Sequence, residues 1–422
     1  MRHITIQECF ESLEIGENTF NSLSQREADE LNEYIISKGL DQHNIIWGRK
    51  TIKFVNYVGY IKLSTVSIEI LPKVNINNNP EEERKALLNM LVKSGIIKVN
   101  YSDINLVNLY KMNLNEILSY LFAYKLHKEL TKGLYQEYVY SEDNLNLLKG
   151  TLIVQQHIKN IASATSKAFC RYEEFSVDNK LNQVLTCCIK KLIKEVKNPE
   201  TIKILRHEKM YFSNITEKEI SNIELLNYKF NRLNVRFEEV FILAKMILGG
   251  CSSLGNAGDE KSFSILFRMD EVFEKYITKT LYINLKDVRI HSQHSKYKLL
   301  VNEVSNKEIF KLKPDIVIER NGIECIIIDT KWKKISDTFN RYGAKREDLY
   351  QMYAYLTRYP NVKTVILLYP FNEEIKRTEK RYLQSWMLSD NQDKKIRVYA
   401  VKLDNERVTM ESLNQIINDI KQ

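Results

Sequence analysis

The chain has 422 residues, which is too long for one compact core, so two or three folded units are expected. Apolar residues make up 44% and charged residues 28%, a globular rather than a disordered composition, and 6 prolines with 13 glycines exclude collagen-like or Pro-rich scaffolds. Lys and Arg exceed Asp and Glu by 9, a modest excess compatible with nucleic acid but not diagnostic of it.

The first hundred residues mix one helix with strands. Ser24 caps a helix running through Glu27, Leu31 and Ile35, and Gly39 ends it. TIKFVNYVGYIKL follows, then VSIEILPKV, where Val66, Ile68 and Ile70 alternate with Ser67 and Glu69 in the pattern of a half-buried strand. From about residue 83 to 248 helical periodicity dominates. One helix ends at Gly133, and another starts at Ser176 or Asp178 with Leu181, Val184, Leu185, Cys188 and Leu192 on one stripe. A short extended piece at 147–154 lies between them.

Residues 249–258 read GGCSSLGNAG and predict a flexible joint. Gly250 and Gly255 have the spacing of a phosphate loop, but Asn256-Ala257 stand where the phosphate-gripping Lys and the Mg²⁺-binding hydroxyl belong, so no nucleotide is expected on this chain. Beyond it, a helix is expected over 270–283 and strands near 287–291, 297–302, 308–319 and 323–330. A helix at 343–358 and strands at 362–369 and 395–402 complete an α/β module. The expected organisation is an N-terminal mixed region (1–82), a mainly helical middle region (83–248), a linker (249–260) and a C-terminal domain (261–422).

The cysteines (Cys9, Cys170, Cys187, Cys188, Cys251 and Cys325) form no C-x-x-C pair, which argues for reduced thiols rather than a zinc ribbon or disulfide framework. The first residues lack the order of a secretory signal, and no apolar run is long enough to span a bilayer. The expectation is a cytoplasmic protein with no membrane attachment.

The chemistry concentrates in KLKPDIVIERNGIECIIIDTKWKK. Pro314-Asp315, thirteen residues, then Asp329-Thr330-Lys331 place two carboxylates at the ends of aliphatic strands, costly there unless a partner or cation holds them. Asp329 and Lys331 share a strand face. A two-residue turn at Asn321-Gly322 pairs Arg320 with Ile323 and puts the two aspartates on opposite faces. A three-residue loop pairs Glu319 with Ile323, so that Asp315 faces Ile327 and Asp329 is its diagonal neighbour. A site requires that loop or a bulge near Pro314. Phosphodiester hydrolysis needs a nucleophile at neutral pH and neutralised phosphate charge, and oxygen ligands select hard cations such as Mg²⁺, or Mn²⁺. The bland alternative is a hairpin with capping carboxylates and a solvated lysine.

This stretch resembles the PD-(D/E)xK nuclease motif. The resemblance implies a restriction-endonuclease-like α-β-β-β-α-β domain within an α/β and α+β multidomain chain, with Asp315, Asp329 and Lys331 catalytic and a Glu on the first helix. Of Glu271 and Glu274, Glu274 is the choice. DLYQMYAYL resembles the Q-x-x-x-Y element of RecB-type domains, with Gln351 and Tyr355 on one helical face, able to reach the site or the DNA backbone. The following loop offers Lys333, Lys334, Arg341, Lys345 and Arg346 to phosphates. His291 and His294 lie at a strand end and are not expected to bind metal.

NYVGYIKLSTVSIEILPKV, KGLYQEYVYSEDNLNLLKGTLIVQQHI and CRYEEFSVDNKLNQVL resemble, in order, the upstream region of the McrC family, the nuclease subunits of McrBC modification-dependent restriction systems. Membership implies a DNA endonuclease subunit that binds and stimulates a partner AAA+ GTPase ring, McrB. Two rivals stand beside it: a non-cleaving activator of a ring NTPase, and a stand-alone DNA repair nuclease.

Overall fold

The computed structural model describes all residues except 17–20, 75–78, 99–105, 250–262, 339, 373–374, 376–381 and 422. The chain is a mixed α/β protein that divides into two compact units, residues 1–114 with 259–422, and residues 115–258. No helix among the described residues is long and apolar enough to cross a membrane.

The first unit joins the two ends of the sequence. Strands Arg2–Gln7, Val66–Leu71, Tyr57–Lys62 and Phe263–Arg268 form one sheet in that order. The last strand follows the expected joint, yet pairs antiparallel with Tyr57–Lys62. Gly59 is what admits it: a Cβ there would stand 1.9 Å from the Ile265 carbonyl oxygen. Ser24 caps the helix Gln25–Ser37 in a reciprocal capping box with Glu27. Val66–Leu71 is buried on both faces, not half-buried as its alternation predicts, because it is an interior strand. Its polar Glu69 is fully buried and accepts from Arg84 at 2.7 Å and from the Leu114 backbone N–H at 2.8 Å. The period-2 signal marked a buried ion pair rather than water.

The expected boundary after residue 82 falls inside this unit. Helix Pro80–Lys93, capped by Asn79, buries Leu87, Met90 and Leu91, and Asn89 donates to the Tyr276 hydroxyl at 3.4 Å. Of the expected linker 249–260, all but Gly249 lies outside the described residues.

The C-terminal part of the unit carries a six-stranded sheet, in the order Arg289–Ser292, Ile316–Arg320, Ile323–Thr330, Thr364–Pro370, Lys395–Val401 and Gln384–Met387. Ile316–Arg320 and Ile323–Thr330 form an antiparallel hairpin, and Thr364–Pro370 runs parallel to the second of them. Parallel neighbours need a crossover, and helix Arg346–Arg358 supplies it, burying Met352, Tyr355 and Leu356. Each such apolar side chain contributes about 1.5–3 kcal/mol of burial. The expected strand 308–319 is two strands: Glu308–Lys311 pairs with Lys298–Val301 in a separate ribbon. Helix Met269–Asn284 lies one residue beyond its expected ends. Strand Gln384–Met387 and the helix Glu406–Lys421 carry no expectation from the sequence reading.

The second unit contains the helices Lys180–Glu195, Pro199–Tyr211, Asn222–Asn227 and Glu238–Gly249 and most of Leu114–Leu130. Asn179, rather than Ser176 or Asp178, caps the first of these. Within this mainly helical region sits a three-stranded sheet, in which Glu137–Leu145 and Ala168–Ser176 pair over nine residues. Of the extended piece at 147–154, only Thr151–Leu152 is strand.

Candidate active site

The site grows from the motif hairpin. Asn321 and Gly322 both take positive φ, 51° and 79°, and Arg320 pairs with Ile323, so the turn has two residues. Taken alone, that turn separates the aspartates. The ladder then steps: Glu319 pairs with Glu324, but Ile318 pairs with Ile326, leaving Cys325 as an extra residue. Beyond the bulge Ile316 opposes Ile328, and continuing that register by one brings Asp315 opposite Asp329. The three-residue loop is therefore replaced by a two-residue turn plus a bulge, at the turn end of the hairpin rather than near Pro314. On that register the aspartates stand opposite one another rather than as diagonal neighbours.

Asp315 Oδ2 accepts from the Thr330 N–H and hydroxyl, both at 2.8 Å. Asp329 is 1% exposed; its Oδ2 has no well-directed hydrogen bond, although the Lys331 ammonium stands 2.6 Å away. The Lys331 N–H donates to the Leu368 carbonyl, extending the parallel ladder. Lys331 Nζ also donates to Gln351 Oε1 at 3.0 Å, and Gln351 Nε2 donates to the Tyr355 hydroxyl at 2.8 Å. The Q-x-x-x-Y face thus points at the lysine. Tyr355 is 2% exposed and meets the lysine through Gln351.

Glu274 faces the same region while Glu271 turns away to Arg268 at 3.4 Å. Glu274 meets Asp315 through Gln293, whose Nε2 lies 2.6 Å from Glu274 Oε1 and 3.5 Å from Asp315 Oδ1. Gln293 adopts a left-handed φ of 50°, and its N–H donates to the Asp315 carbonyl. Sequence reading missed it because the HSQH stretch drew attention to its histidines. Those have other partners: His291 Nε2 lies 3.0 Å from Glu319 and His294 Nδ1 3.0 Å from the Tyr359 hydroxyl.

The electrostatics are those of crowded acids. Burial, then the Asp315 charge, push the Asp329 carboxyl up to about 7. Burial raises Asp315 despite its Thr330 hydrogen bonds, and burial with the Asp315 charge raises Glu274. Burial opposes the charge on Lys331, but Asp329, Asp348 and Asp315 outweigh it and keep the ammonium protonated.

The basic residues downstream divide. Lys333 is held by Asp348 at 2.9 Å, and Lys334 lies over the Phe10 ring at 4.3 Å. Arg341 is half-buried in a left-handed turn, whereas Lys345 and Arg346 are exposed.

A second missed layer fixes the motif from behind. Trp332 is 5% exposed; its indole N–H donates to Glu8 Oε1 at 2.6 Å, and Lys73 Nζ donates to its carbonyl at 3.0 Å. Glu8 Oε2 accepts from the Asn56 N–H at 2.7 Å. The Asn56 carbonyl and side chain in turn accept from Met269 and Asp270 at the start of the helix bearing Glu274. Lys73 belongs to Ile-Leu-Pro-Lys, so that segment of the N-terminal region is tied by hydrogen bonds to the residue following Lys331.

Comparison with known proteins now adds to this geometry. A chain of the refined half-complex from a tetradecameric assembly of Thermococcus gammatolerans McrB AAA+ hexamers with bound McrC is similar over 98% of this chain and 100% of its own, at 20% identity and a TM-score of 0.72. A chain of the cryo-EM structure of the Thermococcus gammatolerans McrBC complex is similar over 68% of this chain and 89% of its own, at 22% identity and a TM-score of 0.51. These likenesses are of fold. No curated protein matches significantly. The family model described as McrBC 5-methylcytosine restriction system component matches residues 52–370, well over half of the sequence. The chain therefore belongs to the family of McrBC 5-methylcytosine restriction system components.

Proposed function

We propose that this chain is the DNA endonuclease subunit of a GTP-dependent, modification-dependent restriction complex, hydrolysing phosphodiesters with Mg²⁺ (or Mn²⁺) and stimulating an McrB-like AAA+ GTPase ring. The observation that carries the reading is the bulged hairpin, whose register continued by one residue brings Asp315 to Asp329, with Lys331 paired to the second acid. The order helix Met269–Asn284, strands Arg289–Ser292, Ile316–Arg320 and Ile323–Thr330, helix Arg346–Arg358, strand Thr364–Pro370 supports a PD-(D/E)xK domain. The ring partner is supported by the similar chains, which come from McrB–McrC assemblies. Among the described residues the cysteines are free thiols, which fits a reducing cytoplasm.

The donor set suits a hard divalent cation. It is all carboxylate oxygen, and Asp329 Oδ2 is buried beside the Lys331 ammonium at 2.6 Å. Asp315 and Asp329 would hold the ion, with Glu274 assisting. When bound, Mg²⁺ supplies Lewis acidity toward water and the scissile phosphate. The remaining roles belong to the protein. Lys331, protonated and steered by Gln351, donates to the attacking water or to charge developing on the phosphate. Gln293 keeps Glu274 and Asp315 apart, and Trp332 fixes the backbone after Lys331. Lys345 and Arg346 are the exposed cations for DNA phosphates, and Arg341 stands beside them.

The test mixes the purified chain with methylated or unmethylated DNA, Mg²⁺ or chelator, with and without the partner motor and GTP. Cleavage should require DNA, Mg²⁺, motor and GTP together. Cleavage by the chain alone would assign a stand-alone nuclease. Stimulated GTP hydrolysis without cleavage at any divalent ion would assign an activator.

A further inference from the structure

We propose that His127, His207 and Glu208 in the second unit form a binding site for one divalent transition-metal ion, with zinc the occupant that their donor set selects. His127 lies in the last turn of helix Leu114–Leu130, and His207 and Glu208 in the last turns of Pro199–Tyr211. The Nδ1 atoms of both rings converge on one oxygen: His127 Nδ1 is 2.7 Å and His207 Nδ1 3.0 Å from Glu208 Oε1. One ligand atom from each residue lies within 4.8 Å of the other two.

A tetrahedral zinc ion with bonds of about 2.0–2.1 Å holds its ligands roughly 3.3 Å apart. To admit it, the imidazole contacts to the carboxylate oxygen, 2.7 and 3.0 Å, open by roughly 0.6 and 0.3 Å, and the two rings close toward the same spacing. Glu208 gives a second, independent reason. Its side chain is fully buried, and its Oε2 has no hydrogen-bond partner. A buried carboxylate with one oxygen unsatisfied is costly unless its charge is balanced, and an ion held by neutral imidazoles balances it without protonating the rings. Two imidazole nitrogens with one carboxylate are the ligands of a borderline cation rather than of Mg²⁺. Tyr211 meets the His207 ring edge-on at 5.7 Å and fixes its orientation. The two histidine side chains are 51% and 55% exposed, which gives the ion an entry path and a fourth, water-filled position. Bound there, the ion ties together two helices whose ligands are 81 residues apart in sequence.

The proposal does not depend on the nuclease reading. The test titrates the full-length chain with Co²⁺, a spectroscopic stand-in for zinc. It uses wild type, H127A/H207A, the milder H127Q, and D315N/D329N, with circular dichroism confirming that each variant folds. Wild type and D315N/D329N should both show the visible bands of tetrahedral cobalt at one equivalent, and Zn²⁺ should displace it and raise the thermal midpoint. H127A/H207A should lose the bands, and H127Q should weaken binding at least about tenfold. Absence of the bands in wild type, or their persistence unchanged in folded H127A/H207A or H127Q, overturns the proposal.

Discussion

Two carboxylate clusters, one in each unit, solve the same problem with different chemistry. Around Asp315 and Asp329 the acids lie at the ends of paired strands, and they meet one ammonium and one amide. Around Glu208 a single helix-borne acid meets two half-exposed imidazoles. The first arrangement leaves hard oxygen donors in a nearly closed site, fitted to a hard cation. The second leaves nitrogen donors at a surface, fitted to a softer one. Burying a carboxylate is thus not in itself a functional signal. What distinguishes the clusters is the neighbour that compensates the charge.

The comparison is sharpened first by removing the support behind the strand-borne cluster. K73M strips the Trp332 carbonyl of its donor and leaves Glu8, already raised by burial, without the cation that favours its charge. The expected loss is about 3 kcal/mol of stability, read as a lower urea midpoint, with partial recovery in E8Q/K73M. Recovery would be absent if the pair were independent.

A comparable effect, confined to one pH window, is expected at Asp329. Its folded carboxyl sits at about 7 against about 4 in the unfolded chain, so the folded state holds an extra proton between those values. The ion-free chain therefore loses stability as pH rises through that window, and the loss is complete above 7. D329N should raise the denaturation midpoint of the chelator-treated protein at pH 8 by the equivalent of about 2–4 kcal/mol, and hardly at all at pH 4. Saturating Mg²⁺ should narrow the gap at pH 8. An identical gain at both pH values contradicts the assigned electrostatics.

The smallest effect belongs to Gln293. It separates two acids but holds neither alone, so Q293A should slow cleavage about tenfold with little change in DNA affinity, measured under single turnover. No change would detach Glu274 from the site.

Legibility followed the distance over which each feature is encoded. The motif hairpin was readable because strand alternation and Asn321-Gly322 are local. Its register was not, since the bulge at Cys325 trades a ladder bond against packing on the neighbouring strand, which no local rule prices. Glu69 was read as a solvent-facing residue because alternation reports polarity, not water, and its partner Arg84 lies on a later helix. Gln293 and Trp332 were missed for a similar reason: their partners are 19 and 324 residues away. The Glu208 cluster had no sequence signature, since His127 joins it only through helix packing. The sheet Glu137–Leu145 with Ala168–Ser176 was overlooked because its strands are rich in exposed polar and aromatic residues.

The most direct test of the central claim is single-turnover cleavage by the reconstituted complex with Mg²⁺, GTP and substrate DNA, comparing wild type with D329A and K331A while following GTP hydrolysis. If Asp315, Asp329 and Lys331 act as one centre, both variants fall by about a thousandfold or more in cleavage and still stimulate the motor as wild type does. Cleavage within a few-fold of wild type in either variant, with motor stimulation intact, contradicts the account.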